Sequence, residues 1–331
     1  MSNEQFIELL LSTKKPVIFA ESLVRCDGTD WNYTEIQLLG DVNITMPVEI
    51  YDNGVWGEFH DSFRTHDPPL QGELLFTPGP LLRSRAMRGI PPPDLEEILT
   101  NDTIDQDKYN KLMDRRLSPL LYHANETAKK DNVLALITIP GVGCGAFSGK
   151  YGGQMGEHLN KALQHIVEKN AINLTHISCI YYDPYNECTN QDRDFKSVKY
   201  RVRPSKYNPN KSQLMDPKDY QELGDDFSKC KLFKIVAWDH VSFPGNDFYS
   251  GVRNTDDGVA AAATNSMEVL TGIKGKYHKG YYLPPHRKTD WELVVHENKI
   301  KLRTKDNVKI LTSDGSYIDL LEFEEKYLKN E

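Results

Sequence analysis

Residues 132–183 read NVLALITIPGVGCGAFSGKYGGQMGEHLNKALQHIVEKNAINLTHISCIYYD, and the fold class follows from them. Asn132 to Pro140 is a nearly continuous apolar run, the pattern of a strand buried on both faces of a parallel sheet. Glycines then break the chain. Past them, Met155, Leu159, Leu163 and Ile166 recur at helical spacing on one face, and Thr175 to Asp183 returns as a second strand. Strand, helix and strand in that order form a βαβ unit and predict an α/β protein.

Outward from this unit, the amino-terminal side offers short strand-like runs at Pro16 to Glu21, Glu35 to Ile44, Pro47 to Tyr51 and Glu73 to Phe76, punctuated by turn residues. Pro93 marks a helix start after the Pro91 to Pro93 cluster, and a longer helix is predicted over Asp107 to Lys129. On the carboxyl side, Asn186 to Lys229 is polar and proline-bearing. It reads as an irregular insertion with one helix in DPKDYQELGDDF, residues 216–227. The sheet resumes at Lys231 to Asp239, and a loop leads to a helix whose Ala260 to Ala263 permit close approach. WELVVHE (291–297) and VKILT (308–312) look like strands, and YIDLLEFEEKYL (317–328) like a closing amphipathic segment. No internal repeat is present. Residues 1–130 are expected to pack as strands and helices on a core formed by 131–331, within one continuous domain.

The composition narrows the class of protein. With 331 residues, 39% hydrophobic and 27% charged, and no run of 18 apolar residues, the chain predicts a globular fold without a membrane span. Met1 to Pro16 carries Glu4 and Glu8 where a secretory leader is basic, so it reads as a first helix. Five cysteines without a pairing pattern suit a reducing, cytoplasmic setting. A net charge of −8 argues against nonspecific nucleic-acid binding. The basic stretch Arg193 to Lys211 reads as a solvated loop or strand edge, with a partner-protein or phosphate surface as the alternative, and Arg83, Arg85 and Arg88 as a solvated face, with contact to a phosphate or an acidic partner as the alternative. His60 and His66 lack metal-site spacing, and His240 reads as a support for Asp239, so no metal is expected.

Six glycines between Gly141 and Gly153 have a conformational use. At Gly143, Gly145 and Gly149 the absence of Cβ and the tolerance of positive φ let backbone N–H groups converge on an anion. A diphosphate suits that place, because loop amides and the following helix N-terminus both present positive potential. No Gly-Lys-Ser/Thr follows and the G-x-G-x-x-G spacing is missing, which removes two nucleotide-binding families. GCGAFSG, residues 143–149, resembles the diphosphate loop of macrodomains, and more closely the GCGAF-type loop of poly(ADP-ribose) glycohydrolases. The resemblance implies backbone donors at Gly143, Cys144, Gly145, Ala146 and Gly149, with Phe147 over the distal ribose. Cys144 has no histidine near it in sequence to make it a nucleophile.

A second stretch, KIVAWDHVSFPGNDFYSGVRNTDDGVAAAATNSM (234–267), ends a buried strand in a loop rich in acids. It resembles the macrodomain segment that wraps the distal ribose, which implies Asn246 at the ribose and Gly258, Val259 and Ala260 at the helix start. Here the segment follows the phosphate loop, whereas in ordinary macrodomains it precedes it, so a permuted strand order is expected. The triple glycine is replaced by SGVRNTDDG, and the double glutamate of the glycohydrolases is absent, which argues against cleavage of poly(ADP-ribose) chains. Asp239, Asp247 and Asp257, eight and then ten residues apart, are similar to the aspartates of effector macrodomains that remove arginine-linked ADP-ribose from ubiquitin. The similarity spans about residues 132–272.

Acids in this arrangement suit N-glycosidic cleavage, whose oxocarbenium-like transition state a carboxylate stabilises while another handles water. Crowding also raises at least one pKa. Asp257 is assigned to the distal ribose and the attacking water, Asp247 to the scissile bond and Asp239 to ligand orientation, the last two roles being exchangeable; Asp256 is a further ligand contact. Capping of a helix needs only one of Thr255, Asp256 and Asp257, and leaves Asp239 and Asp247 unexplained.

The sequence therefore predicts a three-layer macrodomain-like mixed α/β sheet with permuted strand order and an enlarged amino-terminal part. Its predicted activity is that of an ADP-ribosylhydrolase acting on a modified protein, with ubiquitin as the candidate carrier. It needs no cofactor, ADP-ribose being ligand or product, and no nucleic-acid or membrane partner. If the protein is a secreted effector, its setting is the host cytosol. Two alternatives stand beside this: a non-catalytic ADP-ribose-binding module, and a hydrolase of a free ADP-ribose-type nucleotide.

Overall fold

A computed structural model describes residues 33–56, 63–83, 91–240, 242–249, 253–284, 290–300, 309–312, 316–323 and 325–326. The strand expected at Pro16 to Glu21, the first helix, Cys26, His60, Arg85 and Arg88 lie outside these residues. Seven strands form the main sheet: β1 (Ile44–Asp52), β2 (Thr65–Pro78), β3 (Leu134–Pro140), β4 (Ile177–Asp183), β5 (Gln191–Phe195), β6 (Val198–Val202) and β7 (Cys230–Trp238). Their spatial order is β1-β2-β7-β3-β4-β6-β5. The five central strands run parallel, and β1 and β5 close the two edges antiparallel.

Helices cover both faces, giving three layers; in chain order they include α2 at Pro93–Ile98 and the one-turn α5 at Asn246–Tyr249. On one face α3 (Gln106–Lys130) and α4 (Met155–Asn170) pack Leu117, Leu163 and Ile166 against Leu75, Ile137 and Ile235. On the other, α1 (Tyr33–Leu39), α6 (Asp256–Ala263), α7 (Ser266–Thr271) and α8 (Asp290–Glu297) bury Ile36, Ala260 to Ala263, Met267 and Trp291 against Phe76, Leu136 and Val236. Successive residues of one strand, such as Leu74, Leu75 and Phe76, go to alternate cores, as the two-residue period of a strand requires. Each fully buried aliphatic side chain contributes roughly 1.5–3 kcal/mol, which explains why the central strands are apolar throughout.

The βαβ unit stands where residues 132–183 predict it. Four segments differ. Glu35 to Ile44 starts as helix α1, because Ile36 and Leu39 are buried three residues apart while Leu38 faces solvent, a helical period in a run too short to show it. WELVVHE is likewise helical, with Trp291 and Val294 turned to the core and Leu293 exposed. The region taken as an irregular insertion supplies β5 and β6, where Val198, Tyr200 and Val202 alternate inward with half-exposed Lys199 and Arg201. The carboxyl-terminal part forms a separate two-stranded ladder, Lys309–Leu311 with Tyr317–Asp319, followed by a short helix at Leu320–Phe323.

One buried ion pair ties the acid-rich loop to the end of β1, with Tyr277 of the ladder Lys276–His278/Tyr281–Leu283 joining it. Arg253 meets Asp52 at 2.6 and 3.0 Å, with both side chains fully buried. Tyr277 Oη donates to the same carboxylate at 2.7 Å, and the guanidinium lies 4.3 Å over the Phe63 ring. Removing one partner of such a pair strands a charge out of water. Asp52→Ala is therefore expected to lower stability in urea by about 3–5 kcal/mol, whereas Lys218→Ala, at an exposed pair with Asp216, leaves the unfolding midpoint almost unchanged. Equal midpoints for the two variants would contradict this account of the loop's anchor.

Candidate functional site

β7 lies directly between β2 and β3, so the loops that leave Pro78, Trp238 and Pro140 emerge side by side at the carboxyl edge of the sheet. The glycine-rich loop and the acid-rich loop, a hundred residues apart in sequence, are neighbours there. Late arrival of β7 in the chain is the permuted order.

The glycine-rich loop turns twice on itself, with Val142 N donating to Pro140 O at 2.8 Å and Cys144 N to Gly141 O at 2.9 Å. Gly143 has φ of 77°, and a Cβ there would fall 2.5 Å from Pro80 Cδ, so both conformation and space require glycine. A 3-10 turn follows over Ala146–Tyr151, and Ser148 closes it by donating from N and Oγ to Gly145 O. The N–H groups of Gly145, Ala146 and Phe147 meet no acceptor among the described residues. Gly145 and Ala146 are exposed and Phe147 is half-buried, so these consecutive unfilled donors can serve as an anion cradle. Gly149, at φ of 57°, makes the kink beyond them.

Two expectations about this loop change. The N-terminus of α4, assigned with the loop to a diphosphate, is occupied by the protein itself, because Gly156 N donates to Glu187 Oε2 at 2.6 Å. Glu187 thus takes one of the amides that this terminus would offer an anion. Cys144, expected among the backbone donors, spends its N–H on Gly141 O, and burial pushes its thiol far above the ordinary range, so it offers the anion neither an amide nor a thiolate.

In the acid-rich loop, Asp239 follows β7 directly, nearly buried, and accepts from Ser242 Oγ at 2.6 Å. Asn246 is buried at the start of a one-turn helix, Asn246–Tyr249, with half-buried Asp247 next to it. Gly245, at φ of 84°, presses against Ala261, where a Cβ would meet Ala261 Cβ at 2.9 Å. That close approach brings Gly245 N to Asp257 Oδ1 at 2.7 Å.

The three residues at the start of α6 have separate tasks. Thr255 caps the helix, its Oγ1 accepting from Gly258 N at 3.0 Å. Asp256, expected at the ligand, is turned into the fold: its two oxygens accept from Lys234 Nζ at 2.7 Å and Ala237 N at 2.8 Å, clamping α6 to β7. Asp257 is buried, and its Oδ2 has no hydrogen-bond partner among the described residues. Burial first, then the charge of Asp247, and further those of Asp256 and Asp239, raise its pKa well above the ordinary carboxyl value, against a smaller opposing effect of Gly245 N. Asp239, Asp247 and Asp257 therefore come together, with Asp257 as the member whose ionisation burial and its neighbours oppose.

Several residues that shape the site carried no motif. Lys234 is buried in the middle of β7 and also donates to Gln213 Oε1 at 2.6 Å; its signal was a single charge inside the apolar run KLFKIVAW. Arg83, read as a solvated arginine, is half-buried with its guanidinium 5.9 Å from the Phe147 ring centroid and in the field of Asp239. His240 faces the buried Asp94–Arg116 pair, whose opposite charges act on it in opposite directions, and burial keeps it neutral by lowering its pKa to about 4. It is not the support for Asp239 that its place in the sequence suggested. A cleft of about 520 Å³ lined by Leu82, Arg83, Leu95, Gly149, Lys150 and Tyr151 opens beside the glycine-rich loop; none of the four acids lines it.

A family model described as macrodomain effector MavL matches residues 1–288 of the chain. A comparison with curated proteins finds no match. Macrodomains bind or hydrolyse ADP-ribose, and an anion cradle beside a sugar-sized group of acids is the arrangement such a ligand needs.

The charge state of Asp257 has a measurable consequence for stability. A carboxyl whose pKa is higher in the folded chain than its unfolded value of 3.8 stabilises the fold only while protonated. Stability is lost as pH rises from about 4 through the raised folded value. Asp257→Asn keeps an acceptor for Gly245 N and removes the ionisation. Urea unfolding between pH 4 and 8 is expected to show a flatter pH dependence for this variant and greater stability than the parent at neutral pH. Parallel curves for the two proteins would refute the assignment.

Proposed function

Since the chain belongs to the family of the macrodomain effector MavL, we propose that it is an ADP-ribosylhydrolase that cleaves the N-glycosidic bond between ADP-ribose and a side chain of a modified protein. The carrier that the resemblance of Asp239, Asp247 and Asp257 to the aspartates of effector macrodomains implies is ubiquitin modified on arginine. One observation carries the reading. Asp257 Oδ2 is buried, unpartnered and surrounded by acids, on the loop adjoining the cradle of Gly145, Ala146 and Phe147 amides.

The chemistry follows from the two protonation states. With the diphosphate on the loop amides, the distal ribose reaches the acid-rich loop, where Asn246 and Asp239 orient it. Half-buried Asp247 accepts a proton from the water that attacks the anomeric carbon. As the carbon–oxygen bond forms, the carbon–nitrogen bond breaks and its electron pair goes to the leaving nitrogen. Asp257 gives that nitrogen its proton, and the proton gained by Asp247 later restores it. The products are ADP-ribose and the unmodified side chain. Negative charge from Asp239 and Asp247 stabilises the positive ribosyl carbon as it develops. The expected role of Asp257 in activating water passes to Asp247, because a carboxyl that stays protonated donates.

The test is release of free ADP-ribose from ubiquitin carrying arginine-linked ADP-ribose. Asp257→Ala and Asp247→Ala are each expected to lower turnover by about 10²- to 10⁴-fold while ADP-ribose affinity stays within a few-fold. Full turnover by Asp257→Ala would overturn the mechanism. Tight binding by the parent protein without any release would make it a reader of ADP-ribose.

A further inference from the structure

We infer that Arg83 is a ligand-contacting residue whose guanidinium meets the diphosphate held on the amides of Gly145, Ala146 and Phe147. The inference rests on the reading of this loop as an ADP-ribose site. It does not depend on hydrolysis.

The backbone around Arg83 is built onto the loop along its whole length. A Cβ on Gly79 would fall 2.6 Å from Gly143 N, and one on Gly143 would fall 2.5 Å from Pro80 Cδ. Leu82 N donates to Phe147 O at 2.8 Å, and a Cβ on Gly149 would lie 3.0 Å from Arg83 Cα. Residues 79–83 thus form a strap that crosses residues 143–149 at van der Waals distance, and Gly79, Gly143 and Gly149 are the positions where side chains would push the two apart.

The strap is held from behind by a buried ion pair. Leu81 N donates to Asp94 Oδ2 at 2.8 Å, and Asp94 is gripped by Arg116 at 2.6 and 3.1 Å, both side chains being almost wholly buried. Such a pair adds little net stability compared with apolar packing, so its value is geometric. It fixes Leu81, and through it the place of Arg83. The guanidinium then stands 5.9 Å from the Phe147 ring centroid, within the field of Asp239 and at the wall of the cleft that Gly149 and Lys150 also line. A planar cation set against Phe147, whose own N–H is one of the three unfilled backbone donors, matches a diphosphate, since amides and guanidinium can engage different oxygens of the same anion. Asp239 is a charge that Arg83 also faces, so a diphosphate would share the guanidinium between the two loops.

Calorimetric titration of the full chain with ADP-ribose, ADP and adenosine tests this. Arg83→Gln is expected to weaken ADP-ribose and ADP by about tenfold to a hundredfold, the size of one charge-assisted hydrogen bond, with adenosine changed by less than about twofold. Arg83→Lys should fall between, and the ADP affinity of Arg83→Gln should depend less on salt than that of the parent. Unchanged ADP affinity in Arg83→Gln overturns the inference, as does an equal loss for adenosine, which would mark a structural effect. The outcomes separate from those of the hydrolase proposal. Loss of ADP binding in Arg83→Gln by a protein that releases nothing sustains Arg83 and sinks the enzyme, and normal binding and turnover in Arg83→Gln does the reverse. A parent protein that binds neither ADP-ribose nor ADP overturns both.

Discussion

Parallel pairing of β7 with both β2 and β3 puts three strand ends, Pro78, Trp238 and Pro140, in a row at one edge of the sheet. Every contact of the site depends on that row. A strand arriving late in the chain has been accommodated between two earlier ones, and its loop therefore lies beside a loop a hundred residues upstream. Crossovers in parallel sheets carry their functional loops at the carboxyl ends of strands, so pairing register, more than loop sequence, decides which chemistries meet. The register is fixed on both sides, with Phe76 opposite Val236 and Ile137 opposite Phe233, and a slip of one residue would turn the apolar side chains of β7 to the wrong cores.

The site brings opposite electrostatic demands close together. Backbone donors at Gly145, Ala146 and Phe147 invite an anion, whereas Asp239, Asp247 and Asp257 would repel one. Cations set into the fold reconcile them. Lys234 neutralises Asp256 inside the sheet, Arg253 fixes the loop through Asp52, and Arg83 stands between Phe147 and Asp239. Burial of these pairs costs desolvation that their attraction roughly returns, so they serve to hold geometry. Burial and the neighbouring acids act together on Asp257, whose pKa they raise.

Much of this was legible in the chain. The apolar run at 132–140, the helical spacing of Met155, Leu159, Leu163 and Ile166, and the return strand at 177–183 state the βαβ unit outright, since a buried parallel strand has no polar face to confuse its reading. Glycines at 143 and 149 signalled conformations that the backbone adopts. Short elements were harder: Glu35 to Leu39 and Trp291 to Glu297 hold too few turns for their helical period to stand out, and β5 and β6 are edge strands rich in charge. The aspartates were found because their spacing in one loop is local. Lys234, Arg83, Arg116 and Asp94 were not, because each acts through a partner distant in sequence, and no local pattern encodes such a partner. Asp256 was assigned to the ligand for the same reason; its true partners lie on β7.

The account turns on whether an ADP-ribosyl group spans the two loops. A crystal structure of the protein with ADP-ribose bound answers this most directly. The arrangement described predicts diphosphate oxygens within hydrogen-bond distance of the Gly145, Ala146 and Phe147 amides, and the distal ribose beside Asp247 and Asp257. A ligand seated elsewhere, or one whose ribose points away from both aspartates, would contradict it.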